Sequence, residues 1–199
     1  MCTIFKCCYT DTGYTWTITS QLGHMLQDAE KLYGERDSSY TILGVEVSDD
    51  TVSQIWFPGN CKHIAVQITE NCLNDLSQAV FQVAHEVIHL LSPVKFGETT
   101  VLEEGLATLF SIEYPRDNSF GDKVPLSGKN YMTAYTSVQK LLQIDPLIIK
   151  KMRESEPTIS KIDAALITVT NSNVPPDLAI KLTEQFEYDT TIDPQTPHH

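Results

Sequence analysis

Residues 74–112 read NDLSQAVFQVAHEVIHLLSPVKFGETTVLEEGLATLFSI, and the fold class follows from this stretch. Apolar residues recur at helical spacing from about Asn74 to Leu91: Leu76, Ala79, Val80, Val83, Ala84, Val87, Ile88, Leu90 and Leu91 gather on one side. Asp75, Gln78, Gln82, His85, Glu86 and His89 gather on the other. The pattern predicts a helix anchored by a wide apolar face, with a His/Glu face turned to a cleft. It ends before Ser92-Pro93, because the residue preceding proline disfavours helix. A second helix is predicted over about Thr100–Ile112.

His85-Glu86-Val87-Ile88-His89 is an HExxH string. Residues four apart share a helix face, so two imidazoles reach one cation and the glutamate between them flanks it. A catalytic zinc takes three protein ligands and keeps a position for water. No histidine lies between His89 and the tail, so the third ligand is sought among downstream acids, foremost in Leu102-Glu103-Glu104-Gly105-Leu106-Ala107. His24 and His63 lie upstream and read as a helix-surface and a strand residue.

Over about His63–Ile112 the chain resembles the gluzincins, the thermolysin-like and aminopeptidase-type zinc metallopeptidases. In that family HExxH is followed by a helix carrying a Glu ligand, often as Asn-Glu-Gly-x-Ala. The resemblance implies Zn²⁺ held by His85, His89 and Glu104, with Glu103 at the Asn position. Helix geometry agrees: Glu104 shares its side with Ala107, Thr108 and Ser111, small groups that allow close approach. Glu103 lies about 100° away and reads as a first-turn acid favoured by the helix dipole. Three departures stand out. The Gly-x-Met-Glu-Asn string of the aminopeptidase type is absent, Thr108 replaces the family's acid four residues after the Glu ligand, and the chain is much shorter.

The implied chemistry is peptide hydrolysis, probed most directly at Glu86, which would take a proton from the zinc-bound water. Tyr131 and Tyr135, one turn apart, are the candidates for stabilising the oxyanion, as gluzincins use a Tyr or His there. His63–Thr69 is expected as the edge strand along which a polypeptide substrate adds as a further strand. The alternative is a metal-binding regulatory or interaction module with a gluzincin fold and no turnover. Intact Glu86 argues against it. A deformylase would need Gly-rich and Glu-Gly-Cys-Leu-Ser strings that are absent, and a structural metal would call for nearby cysteines.

Around this centre, residues 17–33 read as an amphipathic helix stopped by Gly34. Tyr40–Val47, Val52–Phe57 and His63–Thr69 read as a small antiparallel sheet. Pro115–Gly128 reads as loop, and helices follow at about Asn130–Leu142, Pro146–Arg153, Ser160–Ile167 and Asp177–Phe186. Strands first and helices later give an α+β class, and the gluzincin resemblance implies that it is zincin-like. The expected organisation is one domain over 1–187, with an α+β lobe to about residue 92, a helical lobe beyond, and a disordered tail over 188–199.

A net charge of −12 over 199 residues excludes nucleic acid as partner, since phosphate binding needs a basic surface. No apolar run is long enough to span a membrane. The amino terminus, MCTIFKCCYTDTGY, lacks the apolar core of a secretory signal. With five cysteines, Cys2, Cys7, Cys8, Cys61 and Cys72, the expectation is reduced thiols in a cytoplasmic protein.

Overall fold

Residues 4–59, 62–95, 97–118, 120 and 128–188 are described by the computed structural model. A short antiparallel hairpin of β1 (Tyr9–Thr10) and β2 (Gly13–Tyr14) precedes helix α1 (Ile18–Tyr33). Thr17 caps α1: its hydroxyl accepts from the Ser20 N–H while Ser20 Oγ accepts from the Thr17 N–H, a reciprocal box. Gly34 stops the helix at φ +99°, a conformation that glycine adopts without Cβ strain.

Strands β3 (Thr41–Ser48), β4 (Gln54–Trp56) and β5 (His63–Thr69) form one sheet in the order β3-β5-β4. Two expectations are corrected here. The sheet is mixed rather than antiparallel: β4 runs antiparallel to β5, but β3 pairs with β5 in parallel. And His63–Thr69 is the central strand, not an edge. Both of its hydrogen-bonding rows are occupied, so no further strand can add to it. Its burial matches that place, with Ile64, Val66 and Ile68 fully enclosed. On the β5–β4 side the edge role passes to β4.

A 3₁₀ turn over Glu70–Asn74 leads into α2 (Leu76–His89), which carries the HExxH residues. Helix α3 (Val101–Asp117) runs past the expected end at Ile112 and through Pro115, which the sequence assigned to loop. Proline removes one helical hydrogen bond. Burial holds the turn in place nonetheless: Tyr114 and Pro115 are enclosed, and the Tyr114 hydroxyl accepts from Gln21 Nε2 at 2.6 Å. Helices α4 (Lys129–Ile144), α5 (Ile148–Arg153), α6 (Ala164–Thr170) and α7 (Pro176–Thr183) follow, with a 3₁₀ turn at Ile159–Lys161. The chain is thus a mixed α+β protein with a helical C-terminal half.

Helix α3 is buried on every side from Val101 to Ser111, enclosed between α2 and α4. Gly105 sets the approach to α4. A Cβ there would lie 2.5 Å from the Ala134 carbonyl oxygen and 2.7 Å from Val138 Cγ2. One apolar cluster runs from Ile18 through Ile64, Val87, Leu106 and Leu141 to Phe186. Arg153, 6% exposed, joins the helix ends through backbone carbonyls. Its guanidinium donates to the carbonyls of Tyr33, Gly34, Glu35, Leu91 and Pro157 at 2.7–3.2 Å.

Cys8 is disulfide-bonded, so the expectation of reduced thiols fails there, and with it that part of the argument for a reducing compartment. Cys7, exposed, and Cys72, buried, are free. Among the described residues no helix is long and apolar enough to cross a membrane. The expected tail over 189–199 lies outside the described residues.

Candidate metal centre

The rotation of α2 decides what its polar residues meet. Asp75 caps it, accepting from the Gln78 N–H at 3.0 Å, and Val80, Val83, Ala84, Val87 and Ile88 are fully buried. That packing turns His85 and His89 toward the first turn of α3. Gln82, expected beside them, instead faces inward. Its Oε1 accepts from the Thr69 N–H and its Nε2 donates to Thr69 Oγ1, both at 2.9 Å, tying α2 to the end of β5.

His85, His89 and Glu104 converge as the sequence predicts, with one ligand atom from each lying within 4.8 Å of the others. His85 Nε2 is 3.3 Å from Glu104 Oε2, and His89 Nε2 is 3.7 Å from Glu104 Oε1. This group can hold a metal ion. His89 and Glu104 are buried, while His85 is partly exposed and forms the accessible side. His24 stays apart, edge-on to Trp16 at 4.4 Å, and His63 begins β5 opposite Thr41.

Glu103 lies in the first turn of α3 as expected, but it does more than meet the helix dipole. It is fully buried, and its two oxygens reach different elements. Oε1 lies 2.8 Å from His89 Nδ1, and Oε2 accepts from Ser160 Oγ in the 3₁₀ turn after α5. A carboxylate on Nδ1 keeps the proton at that nitrogen and leaves Nε2 to face Glu104. Ser160 Oγ in turn accepts from the Thr100 N–H at 3.1 Å, binding the start of α3 to the helical half.

Burial pushes the His89 imidazolium toward losing its proton, but the charge of Glu104 and the hydrogen bond and charge of Glu103 outweigh this and hold its pKa well above the ordinary range. Burial pushes Glu104 the other way, yet the neighbouring His89 charge keeps its carboxyl below the usual range. Without a metal the centre is therefore a buried ion pair. Glu104 Oε2 is enclosed and, among the described residues, has only His85 Nε2 at 3.3 Å beside it and no well-formed hydrogen bond, the condition of a donor atom lacking its cation.

The other oxygen of Glu104 is engaged. Tyr188, expected as the first residue of the tail, donates its hydroxyl to Oε1 at 2.9 Å and lies 2.7 Å from Thr99 Oγ1. The backbone delivers it: Val101 N–H donates to Glu184 O and Phe186 N–H to Thr99 O, each at 2.9 Å, with Thr100 and Gln185 bridged antiparallel. Burial and the Glu104 charge both raise the Tyr188 pKa, so the phenol keeps its proton.

Glu86 sits beside the triad, 3% exposed, and its Oε1 accepts from Ser53 Oγ at 2.7 Å. Ser53 immediately precedes the edge strand β4. Of the two tyrosines, Tyr131 lies near the centre, its ring edge-on to His85 at 6.1 Å and against Phe186 at 4.9 Å. Tyr135 is directed elsewhere, with its hydroxyl accepting from Gln139 Nε2 at 2.7 Å one turn further along α4.

Sequence reasoning missed Ser53, Ser160 and Tyr188, and underweighted Glu103. Only Glu103 carried a signal, as the neighbour of the ligand at the family's Asn position. Compared with known proteins, the chain matches no family model, no curated protein and no solved structure.

Proposed function

We propose that this chain is a zinc-dependent peptidase of gluzincin type, with a zincin-like arrangement of sheet, HExxH helix and ligand helix. The observation that carries the reading is the convergence of His85, His89 and Glu104, with the enclosed Glu104 Oε2 3.3 Å from His85 Nε2 and Glu86 alongside. Two nitrogens and an oxygen suit zinc, and a tetrahedral shell with bonds of about 2.0–2.1 Å puts ligand atoms about 3.3 Å apart. The 3.3 Å separation of His85 Nε2 from Glu104 Oε2 fits that spacing. Bound zinc would supply polarisation of a carbonyl and acidification of water.

The protein's residues then have distinct tasks. Glu86, with Oε1 held by Ser53, takes the proton of the attacking water and delivers it to the leaving amine. Tyr131 is the better placed of the two tyrosines to donate to the developing oxyanion. Edge strand β4, joined to Glu86 through Ser53, replaces β5 as the strand on which an extended polypeptide adds.

Glu86→Gln tests the reading. The amide keeps its size and cannot accept the proton, so zinc stoichiometry persists while hydrolysis falls at least about 10²-fold. Wild type and variant are incubated with the same cell lysate and new peptide termini are mapped. Termini appearing equally with both, or with neither, refute peptidase activity and leave a metal-binding module.

A further inference from the structure

We propose that Tyr188 is a positioning residue of the metal centre, holding Glu104 Oε1 so that the carboxylate ligates through Oε2 alone. The inference rests on reading His85, His89 and Glu104 as a metal site. A carboxylate can offer a cation one oxygen or both, and the choice decides whether a coordination position remains for water. Here the two oxygens are unequal. Oε1 accepts the Tyr188 hydroxyl at 2.9 Å, whereas Oε2 is buried, lies 3.3 Å from His85 Nε2 and makes no well-formed hydrogen bond among the described residues.

Proton counting gives the contact its direction. An ionised carboxylate only accepts, so the single phenol proton goes to Glu104. Thr99 Oγ1, 2.7 Å away, must then donate to the Tyr188 oxygen, giving a chain Thr99 to Tyr188 to Glu104. Each link has its own anchor. The Tyr188 ring packs edge-on to Phe186 at 5.1 Å, Thr99 O receives the Phe186 N–H, and Val101 at the start of α3 donates to Glu184. The segment 184–188 thereby fixes the orientation of a ligand 84 residues earlier in the chain.

Tyr188→Phe keeps the ring and removes the proton. Competition with a chromophoric chelator measures zinc affinity, and loss of a hydrogen bond to a ligand weakens it by about 10–100-fold. Cobalt(II) substitution reads the geometry. A Glu104 freed to bind through both oxygens raises the coordination number, so the visible bands of the variant weaken relative to wild type. Thr99→Val, which leaves Tyr188 in place, gives the same changes at smaller size. A merely structural Tyr188 would leave the affinity and cobalt spectrum of the folded protein unmoved. Wild type binding one zinc, with Tyr188→Phe or, should that variant not fold, Thr99→Val within about threefold of it and spectrally identical, overturns the proposal while the metal reading stands. Wild type binding no zinc overturns both.

Discussion

Gly105→Ala sets two physical effects against each other. In a helix interior alanine is favoured over glycine by about 1 kcal/mol, so propensity alone predicts a more stable protein. Packing predicts the reverse. The new Cβ would stand 2.5 Å from the Ala134 carbonyl oxygen and 2.7 Å from Val138 Cγ2, where ordinary contact begins at 3.4 Å. The Val138 methyl can rotate away, but the carbonyl belongs to the α4 backbone and cannot. Relief requires α3 and α4 to part by about 0.9 Å, opening gaps along an interface that is otherwise closed. Overpacking of this kind costs about 1–3 kcal/mol, and a backbone clash belongs at or above the upper end. The expected net effect is a loss of about 2 kcal/mol, read by urea unfolding of the metal-free protein. Because Glu104 is the adjacent residue, the same displacement shifts a ligand relative to His85 and His89, and zinc affinity falls in parallel. Stability equal to or above wild type would refute the reasoning, showing that α4 yields freely and that propensity decides.

Arg153→Met removes the shared donor of five carbonyls and is expected to cost about 3–5 kcal/mol in the same assay; a loss below about 1 kcal/mol would mean that water replaces the guanidinium. The raised His89 pKa means that zinc must displace a proton from it near neutral pH, so calorimetry in buffers of different ionisation enthalpy should show about one proton released and affinity rising with pH. For the metal-free protein the signs run oppositely at the two partners. The gain from His89 is complete below its ordinary value of 6.5 and is lost as pH rises, while that from Glu104 is complete above 4.5 and is lost as pH falls. Metal-free stability should therefore peak between pH 4.5 and 6.5, and a maximum near pH 9 would contradict the ion pair.

His85, Glu86 and His89 were legible because one helix turn relates them, and the apolar residues that orient the helix lie in the same few turns. Glu104 was reached through its own helix and the family resemblance. Ser53, Ser160 and Tyr188 were not, since they approach Glu86, Glu103 and Glu104 from 33, 57 and 84 residues away by paths that no local periodicity encodes. The sheet divides the same way. The alternation that places Ile64, Val66 and Ile68 inward marks β5 as a strand, but its parallel pairing with β3 skips β4, which lies between them in sequence. Pro115 shows a local breaker overruled by the burial of Tyr114, and Glu103 a first-turn acid whose buried partners, His89 and Ser160, lie on other elements.

The late arrival of Tyr188 also orders events during synthesis. Every atom that would touch the metal has left the ribosome once Glu104 has emerged, yet the phenol that turns the Glu104 carboxylate is translated 84 residues later. At about 5–20 residues per second that interval lasts several seconds, longer than a small helical segment needs to collapse. A nascent chain therefore carries the whole ligand set before the segment that aligns it exists.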